Sequence, residues 1–404
     1  MGMKLRTWAV AFAATLLATS MLIVPNATGQ EPENQKWLLL VYLTADNSLD
    51  VNAGAHHVSV VESDFDELMS VGSTEDATAY ALVDRVAGPA NLFRFDKQEM
   101  VQMTDSALNG VELNMGDPAI LRSFVEFTQQ ASPSDHTMLI FWDHGSPLSV
   151  ASDEHLGDVA GSDRLTQWEV VEALSGLTVD VIGADECNVG HLEVAYEYAM
   201  GLQTEYLVAA ETYTGWRGFP YDAVLRELTQ NPDMTPRDAA IMLTEQTQIL
   251  LDKPPYSGER INSHSAIDLA AVPALVDSLK DLSGLLVDDM ANQVNVISRA
   301  RGNAQYCYGA NAMNVVDLMT LLEEIGAKTD SQAIKDASAA AVEDLEAVII
   351  ALHATGSTDH MLSGLGVGFA DHSWEMASYY PNFAFAGHGW LDMLQSYWST
   401  HGSY

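Results

Sequence analysis

Three features of the 404-residue sequence predict an α/β fold built on a mostly parallel sheet. Short apolar runs alternate with helix-spaced apolar residues through the first 230 positions, the pattern of a helix-flanked parallel sheet. Two of those runs stop on polar clusters, Asp143-His144-Gly145-Ser146 and Asp185-Glu186-Cys187. In such sheets chemistry gathers beyond the carboxyl ends of the strands. From about residue 256 helical spacing dominates, giving a helix-rich C-terminal portion, residues 256–404, that packs on and completes a core of residues 37–255.

The elements follow in chain order. "KWLLLVYLTAD" (Lys36 to Asp46) is a buried strand ending in a polar turn, and Ser48 to Ser70 is acidic and helical. "ATAYALV" (Ala77 to Val83) is a second strand, separated from "LFRF" by the turn "AGPAN". Asp117-Pro118 opens a helix with Ile120, Leu121, Phe124, Val125 and Phe127 on its buried face. "HTMLIFW" (His136 to Trp142) is a third strand, and a polar loop from Ser149 to Arg164 precedes a helix capped by Thr166. Val179, Val181 and Ile182 mark the next strand, followed by Val189, Leu192, Ala195, Tyr196 and Ala199 at helical spacing. "EYLVAA" is a further strand, and Thr235-Pro236 caps a later helix. Ile334, Ala337, Ala341, Leu345, Val348, Ile349 and Leu352 form one long amphipathic stripe. "GLGVGF" near the end reads as a strand and "HGWLDMLQSYW" as a closing helix.

Composition narrows the function. With 18 Lys and Arg against 56 Asp and Glu, the net charge is −38, which repels phosphate backbones and excludes nucleic acid as a partner. "MGMKLR" and "TWAVAFAATLLATSMLIV" form the charged and apolar parts of an export signal, with small residues near Gly29 as a cleavage zone. Residues 1–29 are therefore read as a signal peptide and 30–36 as a linker; the apolar stretch is also long enough to stay as a single N-terminal anchor. An exported chain with only two cysteines, Cys187 and Cys307, either pairs them once or keeps a free thiol.

Cys187 and His144 each follow an apolar strand, with one crossover helix between those strands. Consecutive parallel strands bring their ends together, so thiol and imidazole can meet as nucleophile and base. A helix starting at Cys187 would favour the thiolate, while Asp185 and Glu186 oppose it. Gly145 permits close backbone approach, making its amide and that of Cys187 candidates for an oxyanion hole.

These segments resemble the clostripain family of secreted cysteine peptidases, related in fold to caspases, gingipains and legumains. The resemblance runs from about Trp37 to Trp398 through "WLLLVYLTADNSLD", "IFWDHGS", "VIGADECNVGHLEVAYEYA", "EYLVAAETYTGWRGFPY", "SAIDL", "VVDLMTLL" and "GLGVGF". It implies a caspase-like three-layer sandwich and a monomeric peptidase that needs no cofactor for its chemistry, with polypeptides as partners. His144 becomes the general acid/base, Cys187 the nucleophile, and Asp185 a wall of the pocket for the residue before the scissile bond. The family cuts after Arg or Lys, sometimes requires calcium, and is often activated by internal cleavage, for which Ser149 to Asp163 is the natural segment. One departure stands out: "GWRGFPY" puts Arg217 where the family has a second pocket acid. A guanidinium there would neutralise Asp185 or repel a basic substrate, weakening or altering the Arg/Lys preference. Trp216 and Phe219 belong either to the substrate cleft or to aromatic core.

Two rival readings come from other classes. Cys187 and His191 are four residues apart on the expected helix and, with His144, could ligate a catalytic metal. A catalytically silent secreted binding protein is the other, with the altered Arg217 loop in its favour.

Overall fold

Strand β1 (Gln35–Ala45) is the centre of the molecule: from Trp37 to Ala45 no residue is more than 1% exposed. A strand covered on both faces is what an unbroken apolar run encodes. Its alternate residues divide between two cores, Leu38, Leu40 and Tyr42 in one and Trp37, Leu39, Val41 and Leu43 in the other. The computed structural model describes residues 34–51, 59–155, 161–215, 217–253, 263–304, 307, 314–354 and 362–402, and Gln35–Tyr404 form one compact unit. The expected signal segment lies outside the described residues. Among those residues no helix is long and apolar enough to cross a membrane.

The other strands, in chain order, are β2 (Ala77–Arg85), β3 (Asn91–Asp96), β4 (Glu99–Gln102), β5 (Ser134–Trp142), β6 (Ser149–Asp153), β7 (Asp163–Thr166), β8 (Val181–Asp185), β9 (Tyr206–Ala209), β10 (Ser263–Asp268), β11 (Val315–Asp317), β12 (Ile349–Ala354) and β13 (Gly366–Gly368). Nine of them form a sheet in the order β12-β10-β9-β8-β5-β1-β2-β3-β4. Its middle, β9-β8-β5-β1-β2, is parallel, and antiparallel strands close both margins. With helices on both faces this is the predicted mostly parallel α/β sandwich. The chain lays β2 on one side of β1 and β5 on the other, so the strand order reverses between β1 and β5. That is where a doubly wound sheet opens a crevice at its carboxyl edge.

Local signals are realised as capping predicts. Asp117 Oδ1 accepts the Ala119 amide at 2.9 Å and Pro118 opens the helix to Ala131, which buries Leu121, Phe124 and Val125. Thr166 and Glu169 form a reciprocal capping box. Four stretches differ from expectation. The polar loop from Ser149 contains the β6–β7 hairpin, with a bulge at Ala151 (φ 51°). Among described residues the acidic stretch after β1 holds two helices, Ser48–Val51 and Val60–Val71. The amphipathic stripe ends at Val348, and Ile349 onward becomes β12 at the sheet margin. The strand in "GLGVGF" pairs with β11 in a separate two-stranded sheet.

Ile140 of β5 sits between Val41 and Gly183 and is wholly buried. Ile140→Ala should lower stability by about 3 kcal/mol through lost burial and the cavity left behind. A urea unfolding curve checks this, and a loss near zero would contradict the packing described.

Candidate active site

The register of the central strands assembles the site. Trp142 of β5 stands opposite Asp185 of β8, and opposite Leu43 of β1 on its other side. His144 and Cys187 each lie two residues past that level, so their turns leave the sheet side by side. Both residues line one cavity of about 310 Å³, with Leu49, Trp142, Asp143, Asp185, Glu186, Thr214 and Gly218 among its walls. The two turns pass in close contact at Gly145, where an added Cβ would come within 2.5 Å of the Cys187 carbonyl oxygen.

Cys187 precedes its helix instead of opening it. The helix runs Leu192–Gly201, and Cys187 lies in a turn held by Asn188 in the left-handed conformation (φ 59°). The Asn188 and Gly190 amides donate to Thr212 and Ala210 carbonyls at 2.7 and 2.8 Å. The expected helix-terminus stabilisation of a thiolate is therefore absent. Burial, opposed by a 3.3 Å hydrogen bond from the Thr214 amide to Sγ, pushes the thiol up to about 11. His144 is held below its ordinary value by the protein displacing water around the ring, and its Nε2 lies 3.0 Å from Ser48 Oγ. Both shifts favour the uncharged pair, thiol beside imidazole.

Behind the pair lies a buried acidic layer. Asp143 accepts Asn47 Nδ2 at 2.6 Å and also the Ser152 amide, while Glu186 Oε1 accepts the Ala151 amide at 3.2 Å. Burial raises both carboxyls well above the usual range. Asp143 thus ties the turn after β1 and strand β6 to the loop that carries His144.

Asp185 accepts the Phe219 amide at 3.0 Å and the Tyr221 hydroxyl at 3.1 Å, and burial pushes it up to about 6. Gly218 (φ 62°) passes so close that any side chain there would run into this carboxylate. Arg217 does not neutralise Asp185. Its guanidinium turns away to Glu67, to Ser63 Oγ at 2.6 Å and to Asp64 at 3.6 Å, on the helix Val60–Val71. The reason is charge: two carboxylates of that helix claim it. Phe219 is buried in the core, and Trp216 lies outside the described residues.

The metal-ligand reading fails on geometry. His191 is the residue before the helix, wholly buried, with Nε2 3.0 Å from the Glu211 carbonyl oxygen, and it does not line the cavity. Cys187 and Cys307 are both free thiols, and Cys307 points to Glu211 Oε1 at 3.2 Å. Sequence reasoning assigned no role to Asn47, Ser48 or Thr214. A polar run directly after an apolar strand, "TADNS", was the available signal for the first two.

Comparison with known proteins agrees with this architecture. A sequence model of the clostripain family matches residues 41–396. Clostripain of Hathewaya histolytica is 24% identical over 220 residues, which span 48% of this chain and 42% of that protein, so less than half of the relative's length is matched. The structure of a secreted cysteine protease from Bacteroides thetaiotaomicron, bound to an irreversible peptide inhibitor, superposes with a TM-score of 0.64 at 19% identity. That match covers 88% of this chain and 99% of the other. An inactive zymogen protease from Parabacteroides distasonis gives the same TM-score at 14% identity, over 89% and 99% of the two chains. Strand order, the shared crevice and the match along nearly the whole described length lead to one assignment: the chain belongs to the clostripain family.

Proposed function

We propose that this protein is a secreted cysteine endopeptidase in which Cys187 attacks the peptide carbonyl and His144 moves the protons. The observation that carries the reading is that thiol and imidazole, from two different strand ends, line one cavity. With both groups uncharged at rest, His144 accepts the Cys187 proton as sulfur bonds to the carbonyl carbon, then donates it to the leaving amine. Water attacks the resulting thioester with the same base, releasing the second product. The backbone amides of Gly145 and Cys187 are the proposed donors to the oxyanion. Cysteine peptidases of this family need no cofactor for this sequence of steps.

Asp185 is the proposed partner of a basic side chain before the scissile bond. Because Arg217 is held by Glu67 and Asp64, the cavity keeps an acidic wall, and the Arg/Lys preference is retained. Secretion rests on the "MGMKLR" signal together with relatives described as secreted. Internal nicking is proposed within Ser149–Asp163, of which residues 156–160 lie outside the described ones.

Cys187→Ala should cut peptide hydrolysis by about 10⁴-fold or more, and His144→Ala by about 10³-fold, measured on a mixed peptide pool. Retention of activity in Cys187→Ala would sink the nucleophile assignment. Cleavage-site profiling of the wild type should return Arg and Lys. The KM for such substrates should climb as pH falls below about 6, where Asp185 takes up a proton and loses its charge. Alkylation of Cys187 by iodoacetamide in the free enzyme should rise steadily from pH 7 to 10, because the thiolate forms only towards 11. A plateau at neutral pH would mean a preformed thiolate–imidazolium pair instead.

A further inference from the structure

Ser48 and Cys187 stand on opposite sides of His144 in the strand order. The sequence β8-β5-β1 puts the thiol beyond β8, the imidazole beyond β5 and the Ser48 hydroxyl beyond β1. Ser48 Oγ lies 3.0 Å from His144 Nε2, and among the described residues the ring makes no other hydrogen bond. Asp143, next to His144 in the chain, has its two oxygens occupied by the Asn47 side chain and the Ser152 amide. The ring therefore takes its orientation from a neutral hydroxyl and not from a carboxylate.

Ser48 opens a helix of a single turn, Ser48–Val51, which is too short to hold itself. Its position comes from anchors at both ends. Asn47 Oδ1 accepts the Leu49 amide at 2.8 Å, while Asn47 Nδ2 donates to Asp143 at 2.6 Å. Asp50 accepts Arg85 Nε at 3.1 Å and a terminal guanidinium nitrogen at 2.6 Å. Arg85 ends β2, level with Ala45 at the end of β1. The ends of β1, β2 and β5 thus fix this turn, and Leu49, its second residue, lines the dyad cavity.

A neutral imidazole carries one N–H and one lone pair, and its partners decide which nitrogen holds which. A base needs the lone pair on the nitrogen that meets the proton donor. We propose that Ser48 is a positioning residue for the general base: its Oγ accepts the Nε2–H of His144 and leaves the Nδ1 lone pair for the Cys187 proton. The imidazolium then formed keeps Nε2–H on the same oxygen, so the ring need not turn before Nδ1 passes that proton to the leaving amine. Ser48 itself gains and loses no proton. The catalytic consequence rests on the peptidase reading; the assigned tautomer does not.

Nitrogen NMR of full-length, histidine-labelled Cys187→Ala protein reads the tautomer directly, at about pH 8 where the ring is neutral. The His144 signals are those that a further His144→Gln change removes. A single Nε2–H tautomer is expected with Ser48 present, and a mixture of both tautomers once Ser48→Ala is added. In the otherwise unaltered enzyme, Ser48→Ala should lower kcat about 10-fold or more on one peptide substrate, with KM changed by less than about 2-fold. Ser48→Thr keeps the oxygen and should restore kcat to within about 3-fold of the wild type. An Nδ1–H tautomer, an unchanged kcat in Ser48→Ala, or a loss that Ser48→Thr does not rescue overturns the proposal. A wild type that hydrolyses no peptide overturns the peptidase reading alone, and the NMR result then decides the role of Ser48.

Discussion

Everything functional in this molecule depends on the register of three parallel strands. Leu43, Trp142 and Asp185 stand level across β1, β5 and β8. Because side chains alternate with period two, a slip of one residue would send Trp142 and Asp185 to the opposite core and carry the following turns with them. The register is fixed by burial on both faces. Leu39, Met138 and Val181 belong to one core, and Leu40, Leu139 and Ile182 to the other. Trp142 pins it further by donating its indole N–H to buried Asp64 at 2.8 Å.

The charge distribution follows from the same geometry. Most of the −38 net charge lies where water screens it, but several carboxyls are carried inward by the strand ends. There, burial disfavours the ionised form and the protein responds differently at each position. Asp143 accepts the Asn47 side-chain amide and the Ser152 N–H, and Glu186 accepts the Ala151 N–H. Asp185 gains an amide and a phenol, and so keeps a charge at neutral pH. Asp64 and Glu67 draw in Arg217, the basic residue that would otherwise have cancelled the cavity's acidity. A single arginine therefore stabilises the loop Tyr213–Tyr221 from behind while leaving its front acidic.

Strand identity, the parallel core, three helix caps and the placing of His144 and Cys187 at neighbouring strand ends were legible because each is written locally: an apolar run, a cap residue, a polar stop. The start of the helix after Cys187 was not. Val189 and Leu192 continue a helical spacing across a turn that Asn188 and Gly190 in fact shape. Periodicity does not record backbone conformation, and so the presumed helix dipole at the thiol was misplaced. The partner of Arg217 was equally hidden, since Ser63, Asp64 and Glu67 lie some 150 positions away in an acidic helix with no distinguishing motif.

The turn after β1 then acquires a meaning that its sequence alone does not convey. Three successive side chains leave it in three directions. Asp46 Oδ1 meets His155 Nδ1 at 2.7 Å, Asn47 donates to Asp143 at 2.6 Å and to the Thr44 carbonyl at 2.9 Å, and Ser48 Oγ meets His144 Nε2 at 3.0 Å. A backbone shift at Asp46 is transmitted through one peptide bond to the residue bracing the histidine loop, and through two to the residue touching the imidazole. The position of the His144 imidazole is thus set from the β1–β2 side of the sheet as well as from its own strand.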